Sequence, residues 1–420
     1  MSDAASNERR LRELVQWNSV FTQRLFGEPG RSALRPQRPK AGADVPDWLT
    51  KLRGTLSTQP ATAAGVHEPP RTGPGVVVQA AATWALSPAT RSTWYPWTLY
   101  RQVWVENSWP VALDVASDNV TFAAGVWDRS IRLFDLASGL VVHTFRSESQ
   151  LLGPVRVLRF AESAPHLLYS GAADKRVLAW DTRTGRIALR LVGHRASVDA
   201  LAVHPRLTHV LFSGSADEMI RVWDTRVGGQ CSVHELGGHR GGVRSLVGRA
   251  LEPQLLSASD DCTIRSWDIV KGVAAGVCTR HAKPVIGLSS CWLETDLTES
   301  ELERLVSVSA DGARMWKLPA VQLVDEIPGP APTLSTAAVS EDGQLVCGDL
   351  DGQLHWWNAA QRCWQSQSAA PQATSGVTCS VGARVPAVVL CIAFDRSATR
   401  LLTGCHDGAI RMWRLHDEYR

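Results

Sequence analysis

The residues SGSADEMIRVWD (213–224) return as SASDDCTIRSWD (257–268), and again near the other end of the chain as TGCHDGAIRMWR (403–414). Self-similarity at a fixed period constrains a fold more tightly than composition does, because each copy must be one unit of a stacked array. Aligned on this dozen, the sequence holds seven copies whose closing aromatics are Phe134, Trp180, Trp223, Trp267, Trp316, Trp357 and Trp413, at intervals of 46, 43, 44, 49, 41 and 56 residues. Each carries an aspartate upstream of that ring: Asp128, Asp174, Asp217, Asp261, Asp311, Asp351 and Asp407. The separation is six residues, shortened to five in the fifth copy.

Inside a copy the pattern is one of short strands. The third reads VDALAV (198–203), HVLFSGS (209–215) and EMIRVWD (218–224), with turn formers such as His204-Pro205 and Ala216-Asp217 between them. Four strands in a unit of ~43 residues cannot bury both faces of their sheet alone, so the units pack side by side, and closure into a ring leaves only short edges. The expected fold class is therefore all-β, a seven-bladed β-propeller. Seven units that each ask for a tryptophan also account for 17 Trp against 4 Tyr. The last copy ends at its third strand, AIRMWRL (409–415), and the apolar segment YRQVWVEN (100–107) is available to complete that blade. This places the propeller at residues 100–420.

The copies resemble WD repeats: GHRASV (193–198) and GHRGGV (238–243) match the Gly-His element of that family, and RVWD and RSWD its Trp-Asp close. The resemblance implies a hydrogen-bonded tetrad inside each blade. By position these are His194, Ser213, Asp217 and Trp223 in blade three, and His239, Ser257, Asp261 and Trp267 in blade four. Blade five offers His281, Ser307, Asp311 and Trp316. The other blades lack one or more members, although the aspartate persists. The chemistry is independently sensible, since a buried carboxylate needs donors that His and Trp N–H groups supply. The resemblance further implies a partner-binding face at the loops entering the innermost strands, where Trp127, Arg156, Asp199, Arg244, Asp260 and His406 stand. Arg156 and Arg244 occupy positions at which related substrate receptors read phosphate, a role that suits the guanidinium fork.

Residues 1–99 differ in kind, holding 10 of the 22 prolines. Residues 31–99 read as a Pro/Ala/Gly-rich, partly disordered linker with a short helix near 45–56. Residues 1–30 hold a helical pattern with Leu14, Trp17, Phe21, Leu25 and Phe26 at near-helical spacing. The stretch WNSVFTQRLFG resembles the C-terminal half of an F-box, but the Leu-Pro opening of that motif has no counterpart. Two readings stay open: a partial F-box, or an amphipathic helix packed on the propeller. The first implies a substrate-recognition subunit of an SCF-type cullin–RING ubiquitin ligase, with a Skp-type adaptor and cullin as partners and a protein substrate on the propeller face. The alternative is a general WD-repeat scaffold of an intracellular complex with no ubiquitin role.

Other functional classes find little support. The net charge of +3 splits into +5 over residues 1–110 (13 Lys/Arg, 8 Asp/Glu) and −2 over the rest (31 against 33), too weak a field to expect nucleic-acid or membrane binding. No apolar run is long enough for a membrane span, so a cytoplasmic or nuclear setting is expected. Nine cysteines without a CxxC pair read as buried, reduced thiols, and no metal or cofactor is expected. His194, Ser213 and Asp217 are the residue types of a hydrolase triad, but the set recurs blade after blade, so no enzyme is expected.

Overall fold

The computed structural model describes residues 78–80, 97–146, 152–205, 207–226, 232–249, 254–293, 302–318, 321–331, 333–340, 343–358, 363–368 and 387–415. Every element among them is a β-strand. The helical pattern of residues 1–30, with Leu14, Trp17, Phe21, Leu25 and Phe26, and the helix expected near 45–56 lie outside the described residues.

The strands form seven antiparallel meanders. Blade one comprises Pro110–Val115, Thr121–Val126, Ile131–Asp135 and Val141–Phe145. Blades two to seven begin with Val155–Ala161, Val198–Val203, Val243–Gly248, Val285–Leu293, Leu334–Val339 and Val389–Phe394. Each of these first strands packs on the first strand of the next blade, and that of blade seven packs on that of blade one. The chain is a seven-bladed propeller.

Burial follows from this geometry. The second strand of blade three, Val210–Ser215, is buried along its whole length, whereas the outer strand of blade two, Arg186–Val192, alternates exposed and half-buried. The apolar cores lie between blades: Ile131 and Phe145 of blade one share a cluster with Leu158, Phe160 and Trp180 of blade two. Where neighbouring sheets come closest there is no room for a side chain. A Cβ on Gly214 would stand 2.6 Å from Val243 Cγ1 of the next blade, and one on Gly348 equally close to Val389.

Blade seven takes its fourth strand from far upstream. Trp97–Trp104 pairs antiparallel with Ala409–Leu415, Trp97 opposite Leu415 and Trp104 opposite Ala409. The strand expected over 100–107 is thus shifted toward the N-terminus, because Trp97 is buried against Phe394. A fifth strand, Val78–Ala80, pairs with Arg101–Val103. Residues 31–99, read as linker, therefore contain a strand. The reason is physical: the N-terminal strand of blade seven is left with a free edge, and an extended segment satisfies its backbone groups.

Candidate protein-interaction face

The turn between the second and third strand has one feature in common in every blade. The residue after each recurring aspartate has positive φ: Arg129 (68°), Lys175 (72°), Glu218 (69°), Cys262 (65°), Gly312 (142°), Gly352 (76°) and Gly408 (88°). In five blades the aspartate accepts the N–H two residues on, from Ser130 (2.9 Å), Arg176 (3.1 Å), Met219 (3.1 Å), Thr263 (2.9 Å) and Ala409 (2.9 Å). A short acceptor side chain closing a left-handed turn is what places Asp there.

Three blades extend this turn into a continuous chain of donors. In blade three Trp223 Nε1–H donates to Ser213 Oγ (2.7 Å), Ser213 pairs with His194 Nε2 (2.7 Å), and His194 Nδ1 meets Asp217 (3.0 Å). Because an ionised carboxylate only accepts, Nδ1 carries the proton, and Nε2 takes the serine hydroxyl. Blade four repeats the chain through Trp267, Ser257, His239 and Asp261 at 2.8, 2.6 and 2.9 Å. Blade five does so through Trp316, Ser307, His281 and Asp311, with all three links at 2.8 Å.

The electrostatics separate the three complete blades from blade two. Burial works to raise the Asp217 carboxyl, but hydrogen bonds from His194 and the Arg195 amide outweigh it and hold it at about 2. Asp261 and Asp311 are lowered against burial in the same manner, by Thr263 with the Arg240 amide and by the Ala282 amide with His281. Burial keeps His239 and His281 below the ordinary imidazole range, opposed by their aspartates. Blade two has Gly153-Pro154 where blades three and four carry Gly-His, and so has no histidine beside its aspartate. There burial raises the Asp174 carboxyl, and the amides of Leu152 and Arg176 do not compensate. The serines of all three tetrads are fully buried, each with its hydroxyl engaged by the tryptophan and histidine of its own blade.

Blade six is wired differently. Cys347 stands opposite His355, in the register that pairs Ser213 with Arg221 in blade three. Trp357, expected as the closing aromatic, lies edge-on to Trp364 at 5.5 Å, because a thiol is a poor acceptor for its N–H. His355 instead bridges Asp349 (2.8 Å) and its cross-strand neighbour Ser366 (2.7 Å).

These frames present a ring of side chains that sequence reasoning located without its cause. Between first and second strands the register slips after the first residue in all seven blades, leaving Val111, Arg156, Asp199, Arg244, Ile286, Ser335 and Leu390 unpaired. Such a bulge bends the strand and re-aims its side chain. Arg156 and Asp199 consequently meet across two blades, with Nε 2.8 Å from Oδ1 and side chains only 6% and 7% exposed. Burial lowers the Arg156 guanidinium, against the attraction of Asp199. Arg244 clasps Asp260 through Nε at 2.8 Å and 2.9 Å to its two carboxylate oxygens. Both forks read as phosphate binders are therefore engaged by carboxylates, Arg156 by the bulge residue of the next blade and Arg244 by the second-to-third-strand turn of its own blade.

Where blades one and seven meet, the face is aromatic. Trp109 stacks on Trp127 with centroids 5.7 Å apart and lies 4.5 Å from the His406 ring. The Trp127 amide donates to the Trp109 carbonyl (3.0 Å), which locks the two rings' backbones together. Both tryptophans are half-buried and His406 is exposed. Trp109 was missed in the sequence because it precedes the first strand of a blade lacking the Gly-His element. Its signal was a Trp-Pro pair at the strand entrance.

Three stretches, 185–224, 230–268 and 382–414, match the family model for the WD domain, G-beta repeat. The chain carries WD40 repeats. Each matched WD40 stretch ends on the third strand of a blade, Asp224, Asp268 and Arg414 lying in blades three, four and seven. WD40 blade five lies outside the matched stretches although its tetrad is complete. A DENN domain and WD repeat-containing protein of Arabidopsis thaliana is 25% identical over 251 residues, 58% of this chain and 19% of its own length. A ribosome biogenesis protein WDR12 homolog of Chlamydomonas reinhardtii is 32% identical over 187 residues, 44% and 30% of the two chains. A pre-mRNA-splicing factor of Kluyveromyces lactis is 31% identical over 123 residues, 28% and 26%. The match thus spans less than a third of each of these relatives.

Among the described residues no three His, Cys, Asp or Glu side chains are grouped to hold a metal ion, and no helix is long and apolar enough to cross a membrane. Cys262, Cys278, Cys291, Cys347, Cys363, Cys391 and Cys405 are free thiols, and burial pushes those of Cys291 and Cys405 up to about 11.

Proposed function

We propose that this propeller is a protein-interaction scaffold whose partner docks across the bulge residues and second-to-third-strand turns. The observation that carries this reading is the platform of Trp109, Trp127 and His406. The tetrad tryptophans Trp223, Trp267 and Trp316 are buried and hydrogen-bonded, whereas this stack faces outward in part and has no such internal role. Partly exposed tryptophan is the commonest anchor of a binding hot spot. The paired charges of Arg156, Asp199, Arg244 and Asp260 supply a polar rim that suits selection among partners. Relatives named for ribosome biogenesis and pre-mRNA splicing support a scaffold in a cytoplasmic or nuclear complex. The experiment is proximity crosslinking from a photoreactive group at Trp127, with Trp109→Ala as competitor variant. Crosslinks to a protein that Trp109→Ala loses support the face, and an unchanged crosslink pattern refutes it.

The finer reading, a substrate receptor of an SCF-type ligase, rests on Leu14, Trp17, Phe21, Leu25 and Phe26 and on the likeness of WNSVFTQRLFG to part of an F-box. It predicts that the full chain co-purifies with a Skp-type adaptor and cullin, and that removing residues 1–30 abolishes this. A full chain that recovers neither leaves the scaffold reading alone.

A further inference from the structure

A second surface lies on the rim, away from the face just described. The outer strand of blade one and that of blade two bound a cleft of about 460 Å³. It is lined by Arg146, Arg186, Arg190 and His143, with the half-buried Ile187 between them. Behind this lining the buried rings of Phe145 and Trp180 pack with centroids 5.6 Å apart and hold the two sheets together. Gly185 shapes one wall: it has φ of 69°, and a Cβ there would stand 2.6 Å from His143 Nε2. The turn can approach the imidazole only as glycine.

The charge of this cleft is not internally balanced. The guanidinium groups of Arg186 and Arg190 have no carboxylate partner among the described residues, and Arg146 has one contact, to Asp128 at 3.3 Å, with its side chain 66% exposed. The neighbouring carboxylates are otherwise engaged, Asp128 by Arg132 and Asp181 by Arg183. This contrasts with the central face, where Arg156 and Arg244 are each neutralised by an aspartate.

We infer that the cleft between blades one and two binds an acidic, phosphorylated peptide segment of a protein partner, its anionic groups held by Arg146, Arg186 and Arg190 and an apolar side chain placed against Ile187. Guanidinium forks recognise phosphate and carboxylate oxygens through paired N–H donors. The volume falls in the range of sites that hold a few side chains. The half-buried Ile187 among basic side chains suits a peptide that is mainly acidic and carries an occasional apolar residue. A nucleic-acid strand would call for a basic track extending beyond one cleft, and the propeller as a whole is close to neutral.

The test uses the full chain and a fluorescein-labelled 12-residue peptide of glutamate, phosphoserine and leucine, read by anisotropy. Saturable binding that weakens roughly tenfold or more in Arg186→Ala/Arg190→Ala is expected, since each removed fork takes charge-assisted hydrogen bonds with it. Replacing the peptide's leucines by serine weakens binding in the wild type, and Trp127→Ala leaves it unchanged, which separates this site from the central face. Both arginines are exposed, so the variant keeps its melting temperature. Absence of saturable binding, binding equal in the double variant, or tighter binding of a single-stranded RNA 12-mer overturns the inference.

Discussion

Replacing Ser213 by alanine tests the logic of the blades directly. The hydroxyl is fully buried, accepts from Trp223 Nε1 and pairs with His194 Nε2, both at 2.7 Å. Its loss leaves an indole donor and an imidazole nitrogen unsatisfied where the space of one oxygen is too small and too enclosed to admit water. Each orphaned group costs about 1–3 kcal/mol, so Ser213→Ala should cost about 2–4 kcal/mol. Trp223→Phe removes only one donor, and Ser213 keeps its bond to His194. In the double variant the penalties should sum to about 1–2 kcal/mol less than additivity, since the two changes share one lost bond. A ring of this size is a poor candidate for two-state melting, so the assay is native-state hydrogen exchange over Val210–Ser215 and Met219–Asp224. The expected loss of protection is roughly 30-fold to 1,000-fold, at about 1.4 kcal/mol per factor of ten, with blade six unchanged. A loss under about fivefold, or strictly additive variants, would refute the view that the tetrad is a coupled network.

Other consequences are as direct. Asp217, Asp261 and Asp311 have folded-state carboxyls below their ordinary range, so their stabilisation is complete above about pH 4 and fades as pH falls toward the folded values. His239 and His281 are also lowered, so theirs is complete above about pH 6.5 and fades below it. A melting-temperature profile should fall in two acid steps. Asp174 has the opposite sign, its carboxyl being raised, so its ionisation costs stability as pH rises through the folded value. Asp174→Asn should then be neutral or stabilising at pH 7 by thermal melting, where Asp217→Asn costs about 1–3 kcal/mol. Gly214→Ala should cost about 1–3 kcal/mol, measurable as a lowered melting temperature, because its Cβ meets Val243. Lys175→Gly, at φ of 72°, should stabilise by about 1 kcal/mol in the same assay.

The number of blades was legible because each repeat carries its own aspartate and closing aromatic, and three complete tetrads could be written down by position. What escaped the sequence depends on partners far along the chain. Arg156 finds Asp199 43 residues later, and nothing near Arg156 announces that its charge is neutralised. The bulge that aims both side chains is a matter of strand register, which the period of apolar residues does not encode. Val78–Ala80 is three residues long in a Pro-rich setting, with no periodicity to reveal it. Blade six kept its spacing while Cys347 replaced the serine, so its aromatic looked equivalent and its wiring was not.

The strand that seals blade seven holds Thr98 against Arg414 across 316 residues. During synthesis Trp97–Trp104 leaves the ribosome well before its partner strand is made. At about 5–20 residues per second, that interval is roughly a quarter of a minute to a minute. Until that partner emerges the blades already made form an open stack with two unsatisfied ends, so the nascent ring is at its most adhesive just before this strand arrives. A truncation that removes only the segment 409–415 would leave every other blade's sequence intact and still deny the ring its clasp.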